Sequence, residues 1–235
     1  MEKYKLIEAV RLIIYSPLII FNALRSIGRQ KVFCIGCNKT GTTSLETALK
    51  KLGFAMANQR IAELIAGEDW PKRDFRRIIR FCRSAQAFQD APFSFPDTFK
   101  ALDNAFPGSK FILTVRDTPE QWYESITRFH SKSWGDGINP LTQQELKQAT
   151  YISKGRPWKM NRALYNSPPD DPYRKEDLID YYNGHNQAVI DHFRDRPDDV
   201  LVLNVAEEGA YAKLCRFLEK EPTSDTFPWK NKTNT

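Results

Sequence analysis

The sequence predicts an α/β protein of three layers, a central and mostly parallel sheet flanked by helices. Three observations lead there. Short apolar runs rich in β-formers (residues 32–35, 109–115 and 200–205) recur along the chain. Between them lie longer segments whose apolar residues repeat at helical spacing, the connection that parallel strands need. At 235 residues the chain is long enough for one domain with a substantial core.

In chain order, residues 1–30 stand apart as an apolar helical extension. Residues 12–24 carry no charge, contain Pro17, and are flanked by Arg11 and Arg25. A spanning helix needs about 20 apolar residues, so this run is too short. No A-x-A cleavage site follows it. With Lys3, Lys5, Arg11, Arg25 and Arg29 nearby, 12–24 suits a membrane interface. It also suits, and suits better, a helix pair packed on the domain or on the second subunit of a homodimer.

The domain proper, 31–235, is organised around residues 31–54. Val32, Phe33, Cys34 and Ile35 read as a buried strand ended by Gly36, and Leu45, Ala48, Leu49 and Leu52 mark a helix over 44–52. The turn between them holds Asn38, Lys39, Thr40, Gly41, Thr42 and Thr43, then Ser44. A strand running through such a turn into a helix aims backbone N–H groups, the positive end of the helix and Lys39 at one point, an anion site. The nucleoside-triphosphate loop places lysine directly after its second glycine, followed by a Ser/Thr for Mg²⁺. Here Thr42 stands in that place and the lysine lies inside the loop.

Residues 59–83 read as two helices broken at Asp69 or Trp70 before Pro71. Residues 87–90 read as a short strand stopped by Pro92. A helix over 96–106 puts Phe95, Phe99, Leu102 and Phe106 on one face. The strand at 109–115 leads to Arg116 and Asp117, and Pro119 starts the next helix. Residues 131–175 are the least regular part, with several Gly and Pro and a short helical segment near 143–150, a lid or acceptor-binding insert. Helices at 176–193 and 210–218 flank the strand at 200–205.

The net charge of +6 suits an anionic ligand. The basic residues form short clusters with no aromatic interleaving, which argues against nucleic acid. Cys34 and Cys37 have no second pair at zinc-ligand spacing, and Cys82 and Cys215 stand alone, so no metal site is expected. Nothing demands disulfides, which points to a reducing, cytoplasmic setting, with contact at the inner membrane face if 12–24 is interfacial.

The K-T-G-T-T-S run at 39–44 resembles the 5′-phosphosulfate loop of the sulfotransferases, which use 3′-phosphoadenosine-5′-phosphosulfate (PAPS). Arg116 at a strand end with Ser125 in the next helix resembles that family's 3′-phosphate motif, at a spacing of nine residues where eight is usual. Gln89-Asp90-Ala91-Pro92, the 110–117 run and Tyr182-x-x-His185-Asn186 are similar to a bacterial-type branch. The resemblance covers roughly 31–130 and 177–232. It implies a P-loop-like fold and metal-free, in-line sulfuryl transfer to an acceptor hydroxyl or amine, with 3′,5′-ADP as product. Asn38, Lys39, Thr40, Gly41, Thr42, Thr43 and Ser44 would hold the 5′ end, and Arg116 with Ser125 the 3′-phosphate. Lys39 would neutralise the leaving oxygen. Asp90 occupies the place of the base, with His185 and His130 as rivals. The acceptor stays open among carbohydrate, lipid, amino alcohol and small metabolite. A P-loop kinase using ATP and Mg²⁺ is the alternative, and a non-catalytic anion-binding module a third reading.

Overall fold

The computed structural model describes residues 17–228. A helical segment over 17–25 (α1) precedes a four-stranded sheet, β1 Val32–Cys34, β2 Ala87–Phe88, β3 Lys110–Thr114 and β6 Val200–Leu203. The order is β2-β1-β3-β6 and every pairing is parallel. Phe33 lies beside Phe88 on one neighbour and Phe111 on the other, and Ile112 lies between Cys34 and Leu201. The strands are short unbroken apolar runs because helices cover both faces.

Alternation along each strand divides the core in two. Phe33, Phe88 and Phe111 point to one face, where Phe33 stacks on the other two at 5.2 and 5.4 Å. Helices α3 (Gln59–Asp69), α4 (Arg76–Phe81), α5 (Thr98–Ala105) and α9 (Lys175–His192) close over that side through Ile65, Ile78, Phe99 and Val189. Val32, Cys34, Ile112 and Leu203 point the other way, against Leu45 and Leu49 of α2 (Thr42–Lys51) and Tyr211 and Leu214 of α10 (Ala210–Phe217). A third cluster, with Trp122, Ile126, Leu146, Tyr165 and Tyr182, lies beyond the carboxyl ends of the strands. It is built from α6 (Pro119–Trp134), α7 (Gln143–Gln148), α8 (Arg156–Leu164) and α9.

Local chemistry sets the boundaries. Thr118 accepts a hydrogen bond from the Gln121 N–H and Pro119 opens α6. The break between α3 and α4 is a tight turn at Trp70–Lys72. β2 is shorter than expected because Asp90 adopts a left-handed backbone (φ 62°) on the way to Pro92.

The insert departs most from expectation. In place of a long irregular lid, 131–175 contains the last turn of α6, α7, a hairpin of β4 (Thr150–Tyr151) and β5 (Ser153–Lys154), and α8. Gly155 and Pro157 read as loop punctuation in sequence. In the structure Gly155 is the N-cap of α8 (φ 72°) and Pro157 sits in its first turn, where its missing N–H costs nothing. Thr142 and Glu145 cap α7 reciprocally. All four cysteines are buried and unpaired. Among the described residues no helix is long and apolar enough to cross a membrane. Of the 12–24 segment, residues 12–16 lie outside the described residues.

Candidate active site

The phosphate-type loop is held from below. Beyond β1, Gly36 passes so close to β3 that a Cβ would meet Thr114 Oγ1 at 2.2 Å and the Thr114 backbone at 2.4–2.5 Å, so only glycine fits. The Thr40 hydroxyl is buried and bonds both the Cys37 carbonyl and Thr114 Oγ1 at 2.5 Å. Through these two bonds the Thr40 side chain braces the loop from beneath. Lys39 and Gly41 take left-handed backbone (φ 72° and 98°), and a Cβ on Gly41 would strike Val205 at 2.3 Å. These turns aim the start of α2 outward. That start has no side-chain cap and no acidic residue in its first turn, which leaves its N–H groups for an anion. Thr42 and Ser44 are buried there and Thr43 is exposed.

Arg116, at the carboxyl end of β3, bends back over the loop. Its Nε–H donates to the Lys39 carbonyl at 2.7 Å, and its backbone N–H donates to the Tyr182 hydroxyl at 3.0 Å. The neighbouring Asp117 is engaged elsewhere, accepting from Asn204 Nδ2 at 2.5 Å and Gln121 Nε2 at 2.9 Å. Among the described residues no carboxylate forms an ion pair with Arg116. Two half-buried cations thus stand side by side, with Asp90 acting on Lys39 and Asp117 on Arg116, but with no ion pair to either among the described residues. Burial lowers the pKa of both, and for Lys39 the Arg116 charge adds to the effect. A donor set of cations, an uncapped helix start and hydroxyls fits a nucleotide carrying phosphate groups. Ser125 is half-buried on α6 and makes no hydrogen bond to Arg116.

Next to the loop, a cavity of about 340 Å³ opens between the sheet edge and the insert. Its walls are aromatic, including Trp122, Phe129, Trp134, Tyr165 and Tyr181, and its polar end carries Asn38, Asp90 and Ser94. Asn38 joins the two halves. Its carbonyl accepts from Trp122 Nε1 at 2.9 Å, its Oδ1 accepts from the Ser94 hydroxyl at 2.8 Å, and its amide supports Asp90. Asp90 Oδ1 accepts from the Ala91 N–H at 2.7 Å. Burial pushes its carboxyl up to about 6, and the Glu63 charge pushes the same way. The Ala91 N–H, Asn38 and Lys39 pull against them.

The two histidines differ. His130 lines the cavity, stacks on Trp134 at 4.8 Å and places Nδ1 2.7 Å from the Tyr173 hydroxyl. Burial, and then the Lys39 charge, pulls its pKa down to about 3, so it is neutral at pH 7. His185 is only 4% exposed and does not line the cavity. Its Nε2 lies 2.8 Å from the Ile35 carbonyl, an acceptor only, so that nitrogen carries the hydrogen and Nδ1 is left without a partner. His185 thus lies apart from the cavity and pins α9 to the end of β1.

Two contributors were not singled out in the sequence. Phe129 places its ring 3.8 Å from Lys39 Nζ, a cation–π contact. Its spacing from Trp122 and Ile126 on α6 was the available signal. Glu63 accepts from the Tyr151 hydroxyl at 2.6 Å, and its backbone carbonyl accepts from the Arg156 guanidinium, tying the insert to α3. Nothing at helical spacing distinguishes Glu63 from an ordinary solvated residue.

Among the described residues no group of three or more His, Cys, Asp or Glu is placed to hold a metal ion. No curated protein matches the chain significantly. A family model described as a sulfotransferase domain matches residues 31–235, the whole of the α/β unit with its loop, Arg116 and the cavity. The chain belongs to that sulfotransferase family.

Proposed function

We propose that the protein transfers a sulfuryl group from PAPS to a hydroxyl or amine of an acceptor seated in the aromatic cavity, with Asp90 as the base. The observation that carries this is the junction at Asn38, where a cationic loop meets a carboxylate at the polar end of an aromatic cavity. Asn38, Lys39, Gly41, Thr42, Thr43 and Ser44 would receive the 5′ end, with Thr40 as their brace. Arg116 would take the 3′-phosphate and Ser125, one face along α6, would join it.

When bound, PAPS supplies a sulfuryl group already activated on a phosphate. Asp90 would accept the acceptor's proton, and Lys39 would offset the negative charge that develops at the loop. A base works best with a pKa near the working pH, which favours Asp90 at about 6 over His130 at about 3. No metal enters this scheme. The walls favour an acceptor with an apolar or aromatic body over a free sugar.

The test is ligand-induced stabilisation with EDTA present. 3′,5′-ADP should raise the melting temperature, and ADP, lacking the 3′-phosphate, should bind on the order of 10–100-fold more weakly, since a charged contact is worth about 1.5–3 kcal/mol. Equal stabilisation by ADP, or stabilisation that needs Mg²⁺, would instead support a P-loop kinase.

A further inference from the structure

The helix α1 touches the domain through Asn22, whose Nδ2 donates to the Met56 carbonyl at 3.1 Å, and the Ser26 hydroxyl just beyond it, 3% exposed, donates to the Asn22 carbonyl at 2.5 Å. Apart from the half-buried Ile19, its large apolar residues are mostly exposed. Leu18, Ile20, Phe21, Leu24 and the following Ile27 are 55–75% exposed. The other strongly exposed large apolar residues among those described are scattered, so this is a single patch. In sequence the apolar run continues upstream through Leu12, Ile13, Ile14 and Tyr15.

The sequence through the patch carries charge of one sign, and Glu46, which lies beside α1 in the fold, is paired with Lys50. From residue 9 to residue 45 the sequence contains no Asp or Glu, while Arg11, Arg25, Arg29, Lys31 and Lys39 all fall within it. Arg25 and Arg29 are exposed, and the Arg25 guanidinium lies 5.4 Å from the Phe21 ring, at the border of the apolar face. We propose that this face is a docking surface for an anionic lipid bilayer, with the apolar side chains in the interfacial layer and the arginines at the headgroups. A second copy of the chain fits less well. A symmetric contact would set each arginine rim against its twin. The face of a three-turn helix, about 15 Å by 10 Å, also falls far below the roughly 800 Å² per partner of a stable dimer. The proposal is independent of the sulfuryl-transfer reading.

The experiment is co-sedimentation of the full chain with phosphatidylcholine vesicles and with vesicles that also contain phosphatidylserine. The paired substitution Phe21→Glu and Leu24→Glu, and Ile27→Glu alone, alter side chains that are mostly exposed, so melting temperatures should stay near that of the parent. Ile138→Glu, at a residue 84% exposed elsewhere, is the control. The parent and Ile138→Glu should bind the anionic vesicles. Binding should fall about tenfold or more in the paired variant and in high salt. Retained binding by the paired variant overturns the proposal, as does failure of the parent to bind either vesicle. A dimer that the paired variant dissociates, with no vesicle binding, would assign the face to a second copy.

Discussion

Asp90 carries two costs at one position, a left-handed backbone and a half-enclosed carboxyl whose pKa is raised to about 6. The unfolded chain ionises near the ordinary value of 3.8, so between that pH and about 6 the folded state holds the extra proton. Stability from this group is therefore full below 3.8 and is lost as pH rises through about 6. Asp90→Asn keeps the shape, and asparagine tolerates the backbone. It should raise stability by about 1–3 kcal/mol at pH 8 and change little at pH 4, as read by denaturant titration at both values. The same variant should lower sulfuryl transfer by roughly 10²–10⁴-fold with 3′,5′-ADP affinity nearly unchanged. In the parent, transfer should climb as pH rises through about 6. A variant that is both less stable and fully active would remove Asp90 from the mechanism.

At the level of elements, the loop depends on two strands meeting at a glycine. Gly36 has no room for a Cβ, and Thr114 cannot yield because its hydroxyl is tied to Thr40. Gly36→Ala should thus cost more than about 3 kcal/mol, close to the limit of a small domain's stability. Gly209→Ala is the comparison. That glycine has positive φ (74°), which Gly36 does not, and nothing stands within 4 Å of an added Cβ, so only the backbone penalty of about 1–2 kcal/mol applies. Unfolding curves of the two variants should separate clearly. Similar losses would mean that the close approach to β3 is not what fixes Gly36.

Across the whole molecule, the cavity exists because the insert is clasped to α3. Tyr151 on the β4–β5 hairpin reaches Glu63 at 2.6 Å, and burial followed by that hydrogen bond raises the tyrosine's pKa, which keeps it a protonated donor. Tyr151→Phe deletes one hydroxyl at a partly exposed site. It should change global stability by less than about 1 kcal/mol. It should raise the acceptor's KM several-fold while leaving 3′,5′-ADP binding intact, since the nucleotide loop lies on the other side of Asn38. Steady-state kinetics with varied acceptor reads this directly. Loss of nucleotide binding together with acceptor binding would show that clasp and loop form one unit.

The sequence alone determined the parallel α/β order, the strand–loop–helix around Lys39, the position of Arg116 and the start of α6 at Pro119. Each of these rests on neighbours within a few residues, such as an apolar run, a glycine-bounded turn or a proline at a helix start. The ordered insert was illegible because Gly155 and Pro157 signal a loop and a helix start equally well, and the choice lies with Leu146 and Tyr165 packing on α6 and α9. The roles of Thr40, His185, Glu63 and Phe129 were likewise decided only by tertiary structure. Thr40 meets Thr114 across 74 positions and His185 meets Ile35 across 150. A hydroxyl or an imidazole looks the same in sequence whether it awaits a ligand or is already bonded to a distant backbone, and only the fold chooses which.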